Sequence, residues 1–239
     1  TWRTQLQGFL ASRDAIRTLR HERLTAETIK FFLDGVIESH TAALIDPYAD
    51  RPSERGLPNW SAAELTEAVL AFDAAGFQLH LHAIGDAANR DALNALEAAT
   101  AANPSRDRRH VIAHVALLAP GDAERFARAG VIANFEPYWA QCDAVMRDLT
   151  IPHLGHDREG WQYLIGSVLR SGAHVSFGSD WPVTTKDWRP AFATAVTRHS
   201  HLEPGAESWL PEERISAGAA LTAYTRGTAY QAFADNRGT

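Results

Sequence analysis

Two rhythms of apolar residues alternate along the chain. Residues 5 to 20 place Leu6, Phe9, Leu10 and Ile16 at helical spacing, which predicts an amphipathic helix. "TIKFFLDG" (28–35) then reads as a buried strand closed by Asp-Gly, and residues 36 to 59 read as a long loop without periodicity. Ser61 with Glu64 three positions on is a capping-box pattern, opening a helix that runs to about Ala75 and stops at Gly76. "FQLHLHAIGD" follows as a strand, residues 87 to 102 as an Ala/Leu helix, and "HVIAHVALL" as a strand. A short helix from Pro120 to Ala129 ends at Gly130, and "VIANFEPYW" is the next strand. After a loop rich in Asp, His and Gly come a helix from about Gly160 to Arg170, the strand "HVSFGSD", and helices near 190–199 and 212–233.

Strand followed by helix, four times over and with nearly continuous apolar strands, predicts a parallel sheet covered by helices. Five such strands are present, whereas a (β/α)8 barrel needs eight and about 250 residues. The pattern therefore describes one α/β domain over residues 1–239. It is either an open five-stranded sheet or the later part of a TIM-type barrel.

Composition narrows the function classes. A net charge of −6 gives no electrostatic reason to bind nucleic acid or an anionic membrane. The single cysteine, Cys142, cannot form an internal disulfide or a thiolate zinc cluster within the chain, which fits a cytoplasmic setting. No apolar run approaches the roughly 18 residues of a membrane span, and the first residues lack a secretory layout. Glycine-rich nucleotide loops, a Gly-x-Ser-x-Gly elbow and a His-Glu-x-x-His helix are all missing from the sequence. Of 23 basic residues only Lys30 and Lys186 are lysines. Lys30 sits between Ile29 and Phe31, where a buried ammonium needs a partner or another chemical form.

In parallel α/β proteins the chemistry gathers at the carboxyl ends of the strands. There the sequence offers Lys30 and Asp34, His80 and His82, His114, Asn134 and Glu136, and Asp180. Strand alternation turns His80 and His82 to one face and Leu79, Leu81 and Ala83 to the other. Imidazoles and carboxylates converging from successive strands are the donor set of a zinc-, iron- or manganese-type cation.

These residues carry a resemblance. "IKFFLDGVIESHTAAL", "LHLHAIGD", "RHVIAHVALL", "EPYWAQCD" and "FGSDWPV" resemble, in order, the motifs of the amidohydrolase superfamily. The similarity extends over nearly the whole chain and is greatest to its family 3, which includes the N-substituted formamide deformylases. The resemblance implies a metal-dependent (β/α)8 barrel, of which this chain supplies about strands four to eight. It implies that Lys30 is carboxylated and bridges two divalent ions, most simply zinc, and that His82, His114 and Asp180 are metal ligands. Asp180 is also the implied catalytic proton shuttle. His80, sharing the inward face, is expected to orient the site or reach substrate, as are Trp181 and His40; Tyr138 and Trp139 are further candidates for an apolar wall. Asp86 is expected to cap the following helix.

The family's first-strand His-x-His pair has no counterpart here beyond His80 and His82, so the expectation is a fragment or truncated homologue of a polypeptide about twice as long. The implied reaction is hydrolysis of a non-peptide carbon–nitrogen bond in a small amide-type substrate by metal-activated water, possible homo-oligomerisation being left open. The alternatives are a catalytically inactive barrel remnant kept as a binding module, and a metal-dependent deaminase.

Overall fold

The computed structural model describes residues 1–21, 23–203 and 205–237. Its centre is a parallel sheet of five strands: β1 (Thr28–Phe32), β2 (Gln78–Ala83), β3 (Val111–His114), β4 (Ile132–Phe135) and β5 (Val175–Phe177). They are hydrogen-bonded in chain order, β1-β2-β3-β4-β5. Order without reversal means that every crossover steps to the next strand in the same direction. The sheet has no switch point of the doubly wound kind.

Nine α-helices surround it among the described residues: α1 (Trp2–Thr18), α2 (Ala62–Ala74), α3 (Asp86–Ala102), α4 (Ala123–Ala129), α5 (Ile151–Leu154), α6 (Ile165–Arg170), α7 (Trp188–Thr197), α8 (Ala217–Thr222) and α9 (Thr228–Gln231). The expected capping pattern opens α2. Ser61 Oγ accepts from the Glu64 amide and donates to the Glu64 carboxylate at 2.8 Å, satisfying one of the amides that a helix start leaves unpaired. Gly76, in the left-handed region at φ +85°, turns the chain from α2 into β2.

Alternation divides the sheet cleanly. Ile29, Phe31, Leu79, Leu81, Ile112, Ala133, Phe135, Val175 and Phe177 join the main core with the helices. Phe72 of α2, 2% exposed, gathers the rings of Trp2, Phe9, Phe31 and Phe77 at centroid distances of 5.7–6.1 Å. That cluster fixes α1 and β1 to α2. The opposite face carries Lys30, His80, His82, Asn134 and Ser176. Gln231, at the end of α9, bonds Gln78 and Ser176 there.

Three sequence-level expectations change. β1 is an edge strand with the pattern exposed-buried-exposed-buried-exposed, so Lys30 and Phe32 are open to solvent where a fully buried strand was expected. The segment between β4 and α6 carries a π-turn (Met146–Thr150) and α5 where a loop was expected. The final helix is interrupted by a second π-turn (Ala223–Gly227), close-packed on β5: a Cβ on Gly227 would lie 2.3 Å from the Val175 carbonyl oxygen. The long loop after β1 is packed down. Ile37, Ala42, Leu44 and Tyr48 form a small second core with Leu117 and Leu154.

The amino-terminal end of the sheet is tied by one buried carboxylate. Asp73 accepts from Arg106 (2.6 Å), Arg108 (3.0 Å), Asn103 (2.9 Å) and His110 (3.0 Å). Burial opposes its ionisation, but these donors outweigh burial and hold its pKa well below the usual carboxylate range. Removing it takes the carboxylate from two guanidinium groups and a buried imidazole at once. Asp73→Ala is expected to cost about 3–5 kcal/mol in urea unfolding, and Asp73→Asn less; an unchanged midpoint for both would show that the network contributes nothing to stability.

Candidate metal and active site at the strand ends

The register decides which polar side chains meet. Lys30 pairs directly with His80, and Phe32 with His82. Lys30 and His80 therefore share one level of the polar face, with His82 one level further toward the carboxyl end. The Phe32 ring sits 5.3 Å from that of His82 and the same distance from the Lys30 ammonium.

His114 reaches this group by an unusual route. It pairs with Ala83, so plain alternation would turn its side chain toward the helices with Ile112. Its φ is +77°, and that of Val115 is +50°. Rotation about its own N–Cα bond swings the imidazole across to the polar face, where its ring lies 4.5 Å from that of His82 in an edge-to-face contact. Two successive non-glycine residues in the left-handed region, one of them β-branched, store strain of the kind that clusters at functional sites. Glu136, two residues beyond Asn134 on the same face, accepts from His114 Nδ1 at 2.9 Å. With Nδ1 engaged by Glu136, Nε2 is the His114 ring nitrogen left for another partner.

His82 is held from the other side. Its Nε2 lies 3.2 Å from the Gly35 carbonyl and 3.5 Å from Asp34. Asp34 itself is architectural: its carboxylate accepts from the amides of Ala43 (2.9 Å), Ile84 (3.0 Å) and Gly85 (2.8 Å), and burial raises its pKa to about 6. Asp86 likewise accepts from the amides of Ile45 and Ala87, both at 3.0 Å. The helix cap expected of Asp86 is not formed: α3 starts at Asp86 itself, Gly85 is the N-cap without a side-chain cap bond, and the carboxylate instead ties the first loop to the helix start.

Charge is balanced around the imidazoles. Burial, then the neighbouring charges of Lys30, His114 and His82, lower the His80 pKa to about 3. Burial and His114 lower His82 to about 4, against the Gly35 hydrogen bond. Desolvation also lowers Lys30, opposed by the carboxylates of Glu136 and Asp180. Asp180 is thus near enough to act on both Lys30 and His82, although it is exposed and in the left-handed region at φ +49°.

The expected residues divide accordingly. Lys30, His80, His82, His114 and Asp180 share one end of the sheet. Trp181 projects outward, 65% exposed, while Trp139 lies 6.2 Å from the His114 ring. His40 is buried among loop groups instead: Asp50 at 2.8 Å, and His153 and Tyr48 with ring centroids at 3.9 and 4.7 Å. Among the described residues this loop trio is the tight His/carboxylate cluster with metal-ligand geometry; the strand-end donors are more widely spread. Glu136 was visible in sequence as a strand-end carboxylate but not as the partner of His114. Asp50 and His153 had no sequence signal.

A family model for the amidohydrolase family matches residues 3–239. The chain is 38% identical over 210 residues to Protein LONG AFTER FAR-RED 3 of Arabidopsis thaliana, covering 87% of this chain and 35% of that protein. It is 29% identical over 201 residues to Putative amidohydrolase YtcJ of Bacillus subtilis, covering 84% and 37%. It thus spans about a third of the length of these curated relatives. An uncharacterized metal-dependent hydrolase from Pyrococcus furiosus superposes with a TM-score of 0.76 at 27% identity, covering 96% of this chain and 46% of that one.

The depressed imidazoles fix a pH dependence. The unfolded chain takes up protons at His80 and His82 below about pH 6.5, whereas the folded metal-free chain resists until about 3 at His80 and about 4 at His82. Their contribution to stability is therefore complete above pH 6.5 and falls away as pH drops toward 4. NMR titration of the metal-free chain should find both rings neutral at pH 5.5; a ring titrating near 6.5 would contradict the burial assigned to it.

Proposed function

The chain belongs to the amidohydrolase family, and from that membership we propose that it supplies part of a metal-dependent hydrolase cleaving a non-peptide carbon–nitrogen bond in a small amide- or formamide-type substrate. The observation that carries the reading is the pair His82 and His114. They come from different strands, meet ring to ring at 4.5 Å, and the second is in place only through a strained backbone. Five parallel strands in chain order are what strands four to eight of a (β/α)8 barrel present, and we take the chain as that portion.

The donors suit a divalent cation of zinc type. His82 is neutral at physiological pH because its pKa is near 4. The Glu136–His114 hydrogen bond is the carboxylate–histidine arrangement that orients a metal-binding imidazole. In this proposal His82, His114, Asp180 and a carboxylated Lys30 hold the metal, two ions in the complete enzyme. The metal, when bound, acidifies water and polarises the substrate carbonyl. Lys30 as a free ammonium repels a cation; as a carbamate it adds negative charge and two oxygens, a form that a guanidinium cannot take. Asp180 receives the proton of the attacking water and returns it to the leaving nitrogen. Glu136 keeps His114 in its working tautomer, His80 supports Lys30 at the same level, and Trp139 walls the substrate side.

A second reading, a barrel-derived binding module without turnover, draws on the solvent exposure of Lys30 and Asp180. Metal content separates the two. In the complete polypeptide, Lys30→Ala and Lys30→Arg should both abolish hydrolysis of N-substituted formamides and amides, with partial rescue of the alanine variant by a short carboxylic acid. His82→Ala and His114→Ala should lose bound metal together with activity, and Glu136→Gln should weaken metal binding about 10–100-fold. A Lys30→Arg variant with wild-type turnover and metal content would remove the bridging role.

A further inference from the structure

We propose that His40, Asp50 and His153 form a separate binding site for a zinc-type divalent cation, stapling the loop after β1 to the helical excursion between β4 and α6. One ligand atom from each lies within 4.8 Å of the others. His40 Nε2 is 2.8 Å, and His153 Nε2 3.5 Å, from the same oxygen, Oδ2 of Asp50. A tetrahedral ion with bonds of about 2.0–2.1 Å separates its ligand atoms by about 3.3 Å, so only small shifts bring the three groups onto one ion.

The hydrogen bonds favour a cation over a bare network. His153 Nδ1 lies 3.3 Å from the carbonyl oxygen of Ile37, which can only accept, so Nδ1 carries the hydrogen. In a neutral ring Nε2 then presents a lone pair to a carboxylate oxygen, acceptor against acceptor. A cation between the two nitrogens and Oδ2 removes the conflict. Donation of the second ring nitrogen to a backbone carbonyl is the usual support of a metal-bound histidine.

The cradle is held on both sides. The Ala49 amide bonds the His153 carbonyl at 2.8 Å, Thr150 donates to Glu38 at 2.6 Å, and the Arg158 guanidinium bonds the carbonyls of Asp46 and Pro47 at 3.0 and 2.8 Å. Both histidines are buried, and the Asp50 side chain, 38% exposed, leaves an open side for entry and for a water as fourth ligand. Two imidazoles and one carboxylate select a zinc-, cobalt- or nickel-type ion over magnesium or calcium, which prefer oxygen.

The test is metal binding by the full chain carrying His82→Ala and His114→Ala, which dismantles the strand-end site; failure of the strand-end reading, with metal retained equally with and without those two substitutions, is then a distinct outcome. Folded protein, checked by circular dichroism, should bind one equivalent of cobalt(II) with the visible absorption of a tetrahedral site, release it to zinc, and melt at higher temperature when loaded. Adding Asp50→Asn should weaken binding roughly tenfold or more. The same loss of one equivalent should follow Asp50→Asn or His153→Gln in the otherwise unaltered chain, which serves if the double variant does not fold. No visible band and no retained zinc, or equal affinity with and without Asp50→Asn, would overturn the site.

Discussion

The carboxyl end of the sheet depends on the buried carboxylate of Asp34. Three backbone amides from two different segments converge on its two oxygens. One comes from the loop after β1 and two from the turn between β2 and α3. Without this acceptor those amides would lie buried and unpaired, at a cost of about 1–3 kcal/mol each. Two glycines make the approach possible. A Cβ on Gly85 would lie 1.9 Å from the Ala43 carbonyl oxygen, and one on Gly35 would lie 2.1 Å from Thr41 Oγ1. Closing this knot brings the Gly35 carbonyl against His82 and sends the following loop over the strand ends.

From that anchor the polar face acquires its chemistry. The helix-covered face is filled by apolar side chains, so polar groups on the strands are confined to the other face. His80 and His82 remain neutral there because burial and cationic neighbours oppose protonation. Neutral imidazoles thus stand near the carboxylates of Glu136 and Asp180, with the Lys30 amine at the same level as His80 and over the Phe32 ring. The strained backbone at His114 and Val115 supplies what a regular strand end would not: a second imidazole facing the first.

Above this lies the loop layer, with its own small core around Tyr48 and Leu154 and its own histidines. His40 illustrates how position in sequence misleads. It stands six residues after Asp34, near the first strand end, yet a left-handed turn at φ +56° directs it to Asp50 and His153. The loop after β1 and the excursion before α6 thus form a unit joined by side-chain and backbone hydrogen bonds.

The sequence by itself determined the five strands, the helices between β1 and β4, and the alternation of faces along each strand. The 3.6-residue and two-residue periods are local properties, so α2 with its Ser61 start, the five strands, and the common face of His80 and His82 could be read from spacing alone. The motif resemblance assigned the family for the same reason, since each motif is a contiguous stretch. Only the tertiary structure decided the register that sets Lys30 beside His80, the inward turn of His114, its pairing with Glu136 22 residues away, and the meeting of Asp50 with His153. The register depends on how neighbouring strands pair, and His114 faces His82 only through positive φ at His114 and at the buried Val115. Contacts between distant loops leave no periodic trace, because the closure of the whole fold, and not any local propensity, brings their residues together.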